Sequence, residues 1–370
     1  MRKLKICSPQ LGFNPNSDLG GEVHDHFVLH SLAKRGHTIF VYLPKDRPYG
    51  KHHNIIVQRA PFKHIPAFLF NFLIIPYLFS TYKKEKFDIL RVHNPYFVGL
   101  GALIFKFFHP QVPITTTHHL VENNMLFDLI NKMTAAKYDA IITVSLYVKN
   151  WLVKRYGLVK NKIHVIYNGT DMFLKPQPKD ASLLKKYRLE GKVILMFMGL
   201  LIERKNPLFL LKLFQNLKIK YQNVGLLICG EGPLKKTMLS FVKEKKLTDV
   251  IFVGKVFGDA KLKHFNLCDI FVIPSKDEGF GIVIGEAMSC TKPVVATDAW
   301  SAREAIVPGI NGFLAKENDL NDWIGKVGQL ITSEKLRKSL GINALRKAER
   351  EFNWQKLVSR REEIFQKLVS

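Results

Sequence analysis

Glu278 and Glu286 bracket the stretch of this chain whose residue types and spacing can do the most chemistry. An apolar run ends at Ile273, passes through Pro274-Ser275-Lys276-Asp277-Glu278-Gly279-Phe280-Gly281, and enters a helical pattern at Ile282. Gly279 and Gly281 free the main chain for unusual dihedral angles and let a ligand approach it closely. The amides of Gly279, Phe280, Gly281 and Ile282 then point at an anion or at sugar hydroxyls, assisted by the positive end of the helix dipole. A carboxylate can accept two hydroxyl hydrogen bonds, so Glu278 in the loop and Glu286, about one and a half turns into the helix, suit a polyol in one cleft. Taken alone, the segment fits a helix cap beside an unrelated surface glutamate better.

The elements that must position these residues alternate along the whole chain. Residues 4–8, 38–43, 88–92, 112–116, 140–144 and 162–166 read as strands, with helical spacing between them at 21–34, 95–108 and 146–155. The alternation restarts with strands at 192–198, 224–229, 250–253, 270–273 and 293–297. Short buried strands separated by helices imply parallel sheets covered on both faces. Lys175-Pro176-Gln177-Pro178-Lys179-Asp180 has the turn chemistry of a linker. The expected fold is therefore α/β, with two doubly wound Rossmann-like domains over 1–172 and 173–352 and a ligand cleft between them at the carboxyl ends of the strands. Residues 334–370 read as charged helix interrupted near Trp354, and a last helix at about 353–370 is expected to return to the first domain.

Composition narrows the classes. The 370 residues carry 56 Lys+Arg against 31 Asp+Glu, a net charge of +25, and 47% are hydrophobic, including 27 Phe. Such a chain can bury a large core, which excludes a disordered or low-complexity protein. The charge favours an anionic partner, although scattered lysines read first as a solvated surface. Zinc-finger spacing, an RNP aromatic motif and basic-region heptads are all missing, so nucleic acid is not the expected partner. Cys7, Cys229, Cys268 and Cys290 are far apart without a C-x-x-C pair, which argues for a reducing compartment. The basic start runs into Ser8-Pro9-Gln10 rather than an apolar core, and the apolar run 65–79 is broken by Pro66, Asn71 and Pro76. The expected location is cytoplasmic, with peripheral contact at the inner face of the membrane. Aromatic residues 62–75 leading into Lys83-Lys84-Glu85-Lys86 read equally as a membrane-interface segment and as a helix packed inside a domain.

Several further motifs share one order. The segment from Glu278 to Glu286, continuing through Ala287-Met288-Ser289-Cys290-Thr291-Lys292-Pro293-Val294-Val295-Ala296-Thr297-Asp298, resembles the signature of the retaining GT-B glycosyltransferases of family 4, also called glycosyl transferases group 1. Gly20-Gly21-Glu22-Val23-His24 with Leu32-Ala33-Lys34-Arg35-Gly36-His37 resembles that family's opening glycine loop and first helix. Ile166-Tyr167-Asn168-Gly169-Thr170-Asp171, Phe197-Met198-Gly199, Leu227-Ile228-Cys229-Gly230-Glu231-Gly232-Pro233 and Asn311-Gly312-Phe313-Leu314 follow in family order.

The resemblance implies an enzyme of the hexosyltransferase kind that takes a nucleoside diphosphate sugar as donor and a glycan or lipid-linked acceptor. By that resemblance Glu286 holds ribose hydroxyls, and Glu278 with the amides from Gly279 to Ile282 holds the transferred sugar. Lys205 contacts the donor diphosphate, Glu231 belongs to the donor loop, and Gly20 and Gly21 bring amides toward the phosphates. His118 or His119, after Thr115-Thr116-Thr117, matches a histidine near the reacting centre.

Leu200 stands where the family carries an arginine, and Arg204 is the candidate replacement. Trp300, Ser301 and Thr291 occupy common glycine positions. No Asp-x-Asp triplet is present, so no metal and no cofactor are expected, with the diphosphate held by cationic side chains. The rival readings are another sugar-phosphate enzyme on the same scaffold, such as a nucleotide-sugar epimerase, and a non-catalytic basic protein that binds membrane or nucleic acid. Asn168-Gly169-Thr170 reads as a turn rather than a glycosylation site.

Overall fold

The structure is a computed structural model that describes residues 2–17, 19–63, 66–121, 124–170 and 173–370. His64 and Ile65 of the aromatic stretch, Asp171 of the Asn-Gly-Thr turn and Met172 lie outside the described residues. The chain forms two compact units, one of Met1–Asn168 with Trp354–Ser370 and one of Gly169–Asn353.

The first unit is built on β1 (Lys5–Cys7), β2 (Thr38–Leu43), β3 (Ile55–Arg59), β4 (Ile89–Val92), β5 (Ile114–His118), β6 (Ala140–Thr143) and β7 (Ile163–Val165). These pair in parallel in the order β3-β2-β1-β4-β5-β6-β7. The second unit holds β8 (Val193–Met198), β9 (Val224–Cys229), β10 (Val250–Gly254), β11 (Ile270–Ile273), β12 (Val294–Thr297) and β13 (Gly312–Ala315), in parallel and in the order β10-β9-β8-β11-β12-β13. In each sheet the strand order reverses once, between β1 and β4 and between β8 and β11. The carboxyl ends of the strands flanking such a reversal are where open α/β sheets leave room for ligands.

The long apolar runs form strands because both faces of each sheet are covered. Every residue of β9 and β11 is buried. β3 and β13 are strands that the alternation pattern does not reveal. β3 is an edge strand with mostly exposed side chains, so its residues carry little burial signal. β5 begins at Ile114 rather than Val112, because Pro113 has no N–H to give a ladder and serves only as an acceptor for Leu90 N at 3.0 Å. The strand runs on to His118, which pairs with Thr143 of β6.

Helix Gly20–Lys34 of the first unit packs against helix Trp354–Val369. Glu362 joins them, with Oε2 accepting from Arg35 Nη1 and Oε1 in contact with His37 Nε2, both at 2.8 Å. The core of the second unit gathers around Trp323, whose indole N–H donates to the Lys316 carbonyl at 3.0 Å. Among the described residues no helix is long and apolar enough to cross a membrane. All four cysteines are buried free thiols.

Two family glycine positions keep a glycine-like backbone without a glycine. Thr291 has φ 58° and Trp300 has φ 40°, both in the left-handed region. Trp300 offsets this strain by burying its ring and donating its indole N–H to the Ser275 carbonyl at 3.1 Å. Thr291 gains only a hydroxyl bond to the neighbouring Cys290 carbonyl. Left-handed backbone costs a non-glycine residue about 1–2 kcal/mol. Thr291→Gly is therefore expected to raise unfolding stability by about 1 kcal/mol, read by chemical denaturation; a loss of stability would contradict the strain account.

Candidate active site

The loops after β8 and β11 bring three sequence-predicted residues together. After β8 the chain passes Gly199 and Leu200, buries Leu201, and makes a short turn, Glu203–Lys205. A backbone bond from Lys276 N to Arg204 O, 2.8 Å, ties this turn to the loop after β11. Arg204 Nη1 donates to Glu278 Oε2 at 3.0 Å and to the Asp277 carbonyl at 2.8 Å, while Lys205 Nζ donates to Glu278 Oε1. Arg204 thus adds a second cation to this loop beside Lys205. The Glu278 side chain is only 6% exposed. Burial opposes its ionisation, but Lys205 and Arg204 outweigh burial and hold the carboxyl below the ordinary glutamate range.

Glu286 lies on helix Ile282–Ser289, whose first residue follows Gly281 at φ 68°. No side chain caps this helix, so its first amides are left to the loop or to a ligand. Lys261, from helix Gly258–Leu267, donates to Glu286 Oε1. Among the described residues Glu286 Oε2 is buried and has no hydrogen-bond partner. An acceptor buried in this state costs about 1–3 kcal/mol unless something donates to it. Phe280 turns its ring inward, 5.1 Å from the Phe352 ring, so its polar contribution to the loop is its main chain.

Glu231 follows β9 at a point of close backbone approach: a Cβ on Gly230 would lie 1.9 Å from the Gly199 carbonyl oxygen. Its side chain pairs with Lys235 at 2.6 Å and joins neither Glu278 nor Glu286 in any described contact.

In the first unit, Gly20 and Gly21 open helix Gly20–Lys34, which no side chain caps among the described residues. A Cβ on Gly21 would lie 3.3 Å from His93 Nε2. The two candidate histidines separate, as neighbouring residues of an extended segment do. His118 is fully buried 6.5 Å from the Tyr96 ring, and burial pushes its pKa down to about 3. His119 stands with His24 and His93, each ring centre 4.6 Å away, and burial followed by His93 lowers its pKa well below the usual value.

Sequence reading missed Lys261 and a buried polar group in the first unit. Asp25 takes Arg91 through both oxygens, at 2.5 and 2.9 Å, and His93 Nδ1 lies 2.7 Å from its Oδ1. His24 Nδ1 contacts Asn168 Oδ1 at 2.6 Å, so the Asn-Gly-Thr asparagine is a buried structural partner. The signal available was Arg91-Val92-His93, since an arginine inside an apolar central strand needs a carboxylate. For Lys261 the sequence held no comparable signal. His24, Asp25 and His119 could place ligand atoms within 4.8 Å of one another. They do not fit a metal ion, because Arg91 already occupies both oxygens of Asp25 and adds a positive charge there.

Comparisons with known proteins agree with one another. Residues 180–347 match the family described as Glycosyl transferases group 1, and residues 20–172 match Glycosyltransferase Family 4. The chain is 27% identical to an N-acetyl-alpha-D-glucosaminyl L-malate synthase of Bacillus anthracis, over 98% of this chain and 97% of that one. It is 28% identical to a Campylobacter jejuni N-acetylgalactosamine-N,N'-diacetylbacillosaminyl-diphospho-undecaprenol 4-alpha-N-acetylgalactosaminyltransferase, over 73% and 75% of the two chains. The fold is similar to that of Anabaena Alr3699/HepE, solved in complex with UDP and glucose, with TM-score 0.82, 19% identity and coverage of 98% and 99%.

Because the Glu278 carboxyl is held below the 4.5 of a free glutamate, its pairing stabilises the second unit above about pH 4.5 and is lost as pH falls through the lower folded value. Glu278→Gln is expected to cost roughly 1–3 kcal/mol at pH 7 and to flatten the acid limb of the stability curve. Equal stability of the two proteins at pH 7 by urea denaturation would contradict the paired-carboxylate account.

Proposed function

Since the chain belongs to the glycosyl transferases group 1, enzymes of GT-B fold, we propose that it transfers a sugar, with retention, from a nucleoside diphosphate sugar to a glycan or lipid-linked acceptor. The observation that carries this reading is the buried, unpartnered Oε2 of Glu286, beside the uncapped start of its helix. A ribose hydroxyl supplies the donor this oxygen lacks. Arg204 and Lys205 neutralise the diphosphate, whose negative charge grows as it leaves. Glu278 and the amides from Gly279 to Ile282 hold the sugar. Gly20 and Gly21 turn amides toward the phosphates, and His119 rather than His118 belongs to the polar group of the first unit.

The acceptor hydroxyl attacks from the side the diphosphate leaves, and a phosphate oxygen takes its proton. Neither a metal ion nor a cofactor is needed, because side-chain cations and main-chain amides carry the charge. The names of the two curated relatives point to acceptors bearing a carboxylate or a diphosphate, an anionic chemistry that a basic first unit suits.

The acceptor is met at an anionic bilayer. Helix Met125–Thr134 exposes Met125, Leu126, Leu129 and Met133, and the helix Pro95–Phe108 that packs on it exposes Ile104, Phe107 and Phe108. Lys83, Lys84, Lys132 and Lys137 supply the charge complement to anionic head groups.

Glu286→Ala is expected to abolish the thermal stabilisation that the wild-type protein gains from UDP or GDP, and wild-type turnover is expected to survive EDTA. Undiminished stabilisation of the variant, or turnover lost in EDTA and restored by manganese, would contradict the assignment. In flotation with phosphatidylglycerol vesicles the wild type should rise and a Met125→Ser/Leu129→Ser/Met133→Ser variant should stay below. Equal behaviour of the two would remove the membrane face.

A further inference from the structure

We propose that the first unit encloses a small monovalent anion, of which chloride is the common example, between the guanidinium groups of Arg361 and Arg91, and that this ion fastens helix Trp354–Val369 to the sheet. The site stands apart from the glycosyl-transfer reading, and every residue in it belongs to the first unit. The buried face of the helix is Trp354, Leu357, Val358, Arg361, Glu362 and Phe365, the spacing of one helical stripe. Trp354, Leu357, Val358 and Phe365 join a core with Ile6 and Ile89 of the sheet. Glu362 is paired with Arg35 and His37. Arg361 stands in the middle of this stripe with no exposed surface. Its Nε, Nη1 and Nη2 are all buried, and among the described residues none has a hydrogen-bond partner.

Side chains alternate along a strand, so Arg91 leaves β4 on the same face as Ile89, beneath this helix. Thr115 of β5 pairs in register with Arg91, and its hydroxyl is buried and likewise unpartnered among the described residues. Arg91 Nε is in the same state. Asp25 gives both its oxygens to Arg91, at 2.5 and 2.9 Å, and makes no hydrogen bond to Arg361. Two buried guanidinium groups thus share one carboxylate, and the neighbouring His24, His93 and His119 can add only positive charge. Burial, and after it Arg91, pull the Arg361 pKa down to about 9, which still leaves the group charged at pH 7. The bland alternative is a guanidinium met by buried water. Water satisfies N–H donors but leaves the excess charge inside the core, where an ion needs a counter-charge. An anion meets both needs, accepting from Arg361 and Arg91 while neutralising them. The complete enclosure of both arginines suits a halide-sized ion rather than an organic acid that must enter and leave. The positive excess that keeps a metal ion from His24, Asp25 and His119 is the condition an anion requires.

Thermal unfolding of the full-length protein tests this, with sodium chloride replacing sodium gluconate at constant pH and ionic strength. The wild-type midpoint should rise saturably with chloride, by about 5 °C at saturation, and bromide should act in the same way. Arg361→Met has similar length and needs no counter-ion, so its midpoint should not respond to halide. A wild-type midpoint indifferent to halide overturns the proposal. So does an equal rise in the variant, which would place the effect on the basic surface. Crystals of the wild type grown from sodium bromide give the direct readout, an anomalous peak against the Arg361 and Arg91 nitrogens. Ordered waters alone at that position overturn the proposal. A bromide peak without any halide effect on the wild-type midpoint is an adventitious ion only and also overturns it. Should the Met variant not fold, the wild-type titration and the bromide crystal decide.

Discussion

A buried carboxylate must be paired or hydrogen-bonded, and the second unit meets that constraint in a way that shapes its site. Glu278 is enclosed by the ends of β8 and β11, where water cannot solvate it freely, so Arg204 and Lys205 are drawn onto its two oxygens. The same cations are the natural partners of a diphosphate. Within the chain an internal anion holds them in place, and under the proposed function a diphosphate at this loop competes for charges already oriented. Glu286 is treated differently, with Lys261 on one oxygen and, among the described residues, no donor on the other. One glutamate stores cations and the other stores an unmet acceptor.

The sheets explain why these groups meet. Parallel strands with helices on both faces send every strand-to-helix loop to one edge, and the reversal of strand order opens a gap between two such loops. Arg204 and Lys205 follow β8 while Glu278 follows β11, the two strands on either side of the reversal. In the first unit Gly21 follows β1 and His93 follows β4, again on either side of the reversal. The two halves repeat one device with different side chains, carboxylates held by lysine and arginine in one and a carboxylate–histidine group in the other.

Much of this was legible in the residues, for physical reasons. β8, β9 and β11 are continuous apolar runs because both faces are buried, and burial is what a hydropathy pattern records. β3 was not legible, since an edge strand with exposed side chains leaves little such record. Glu278 and Glu286 stood out through the glycine-bracketed loop between them, but they and Lys205 took their expected roles only from the family resemblance, and Arg204 was readable only as a candidate, because a turn's side-chain direction is set by the loop that packs on it. The choice between His118 and His119 was not readable, because neighbouring residues of an extended segment face opposite ways and the sequence does not say which side meets His24 and His93. Asp25 and His93 were missed because their partnership joins residues far apart in the chain. Trp300 and Thr291 looked like departures from a glycine pattern, yet both retain the left-handed backbone that the pattern serves.

The central claim is that Arg204 and Lys205 stand ready for a diphosphate. Calorimetric titration of the wild-type protein with UDP and with uridine tests it most directly, run in parallel with GDP and guanosine. The account predicts that one diphosphate binds at least about tenfold more tightly than its nucleoside, a gain of about 1.4 kcal/mol or more. Equal affinity for diphosphate and nucleoside in both pairs would contradict it.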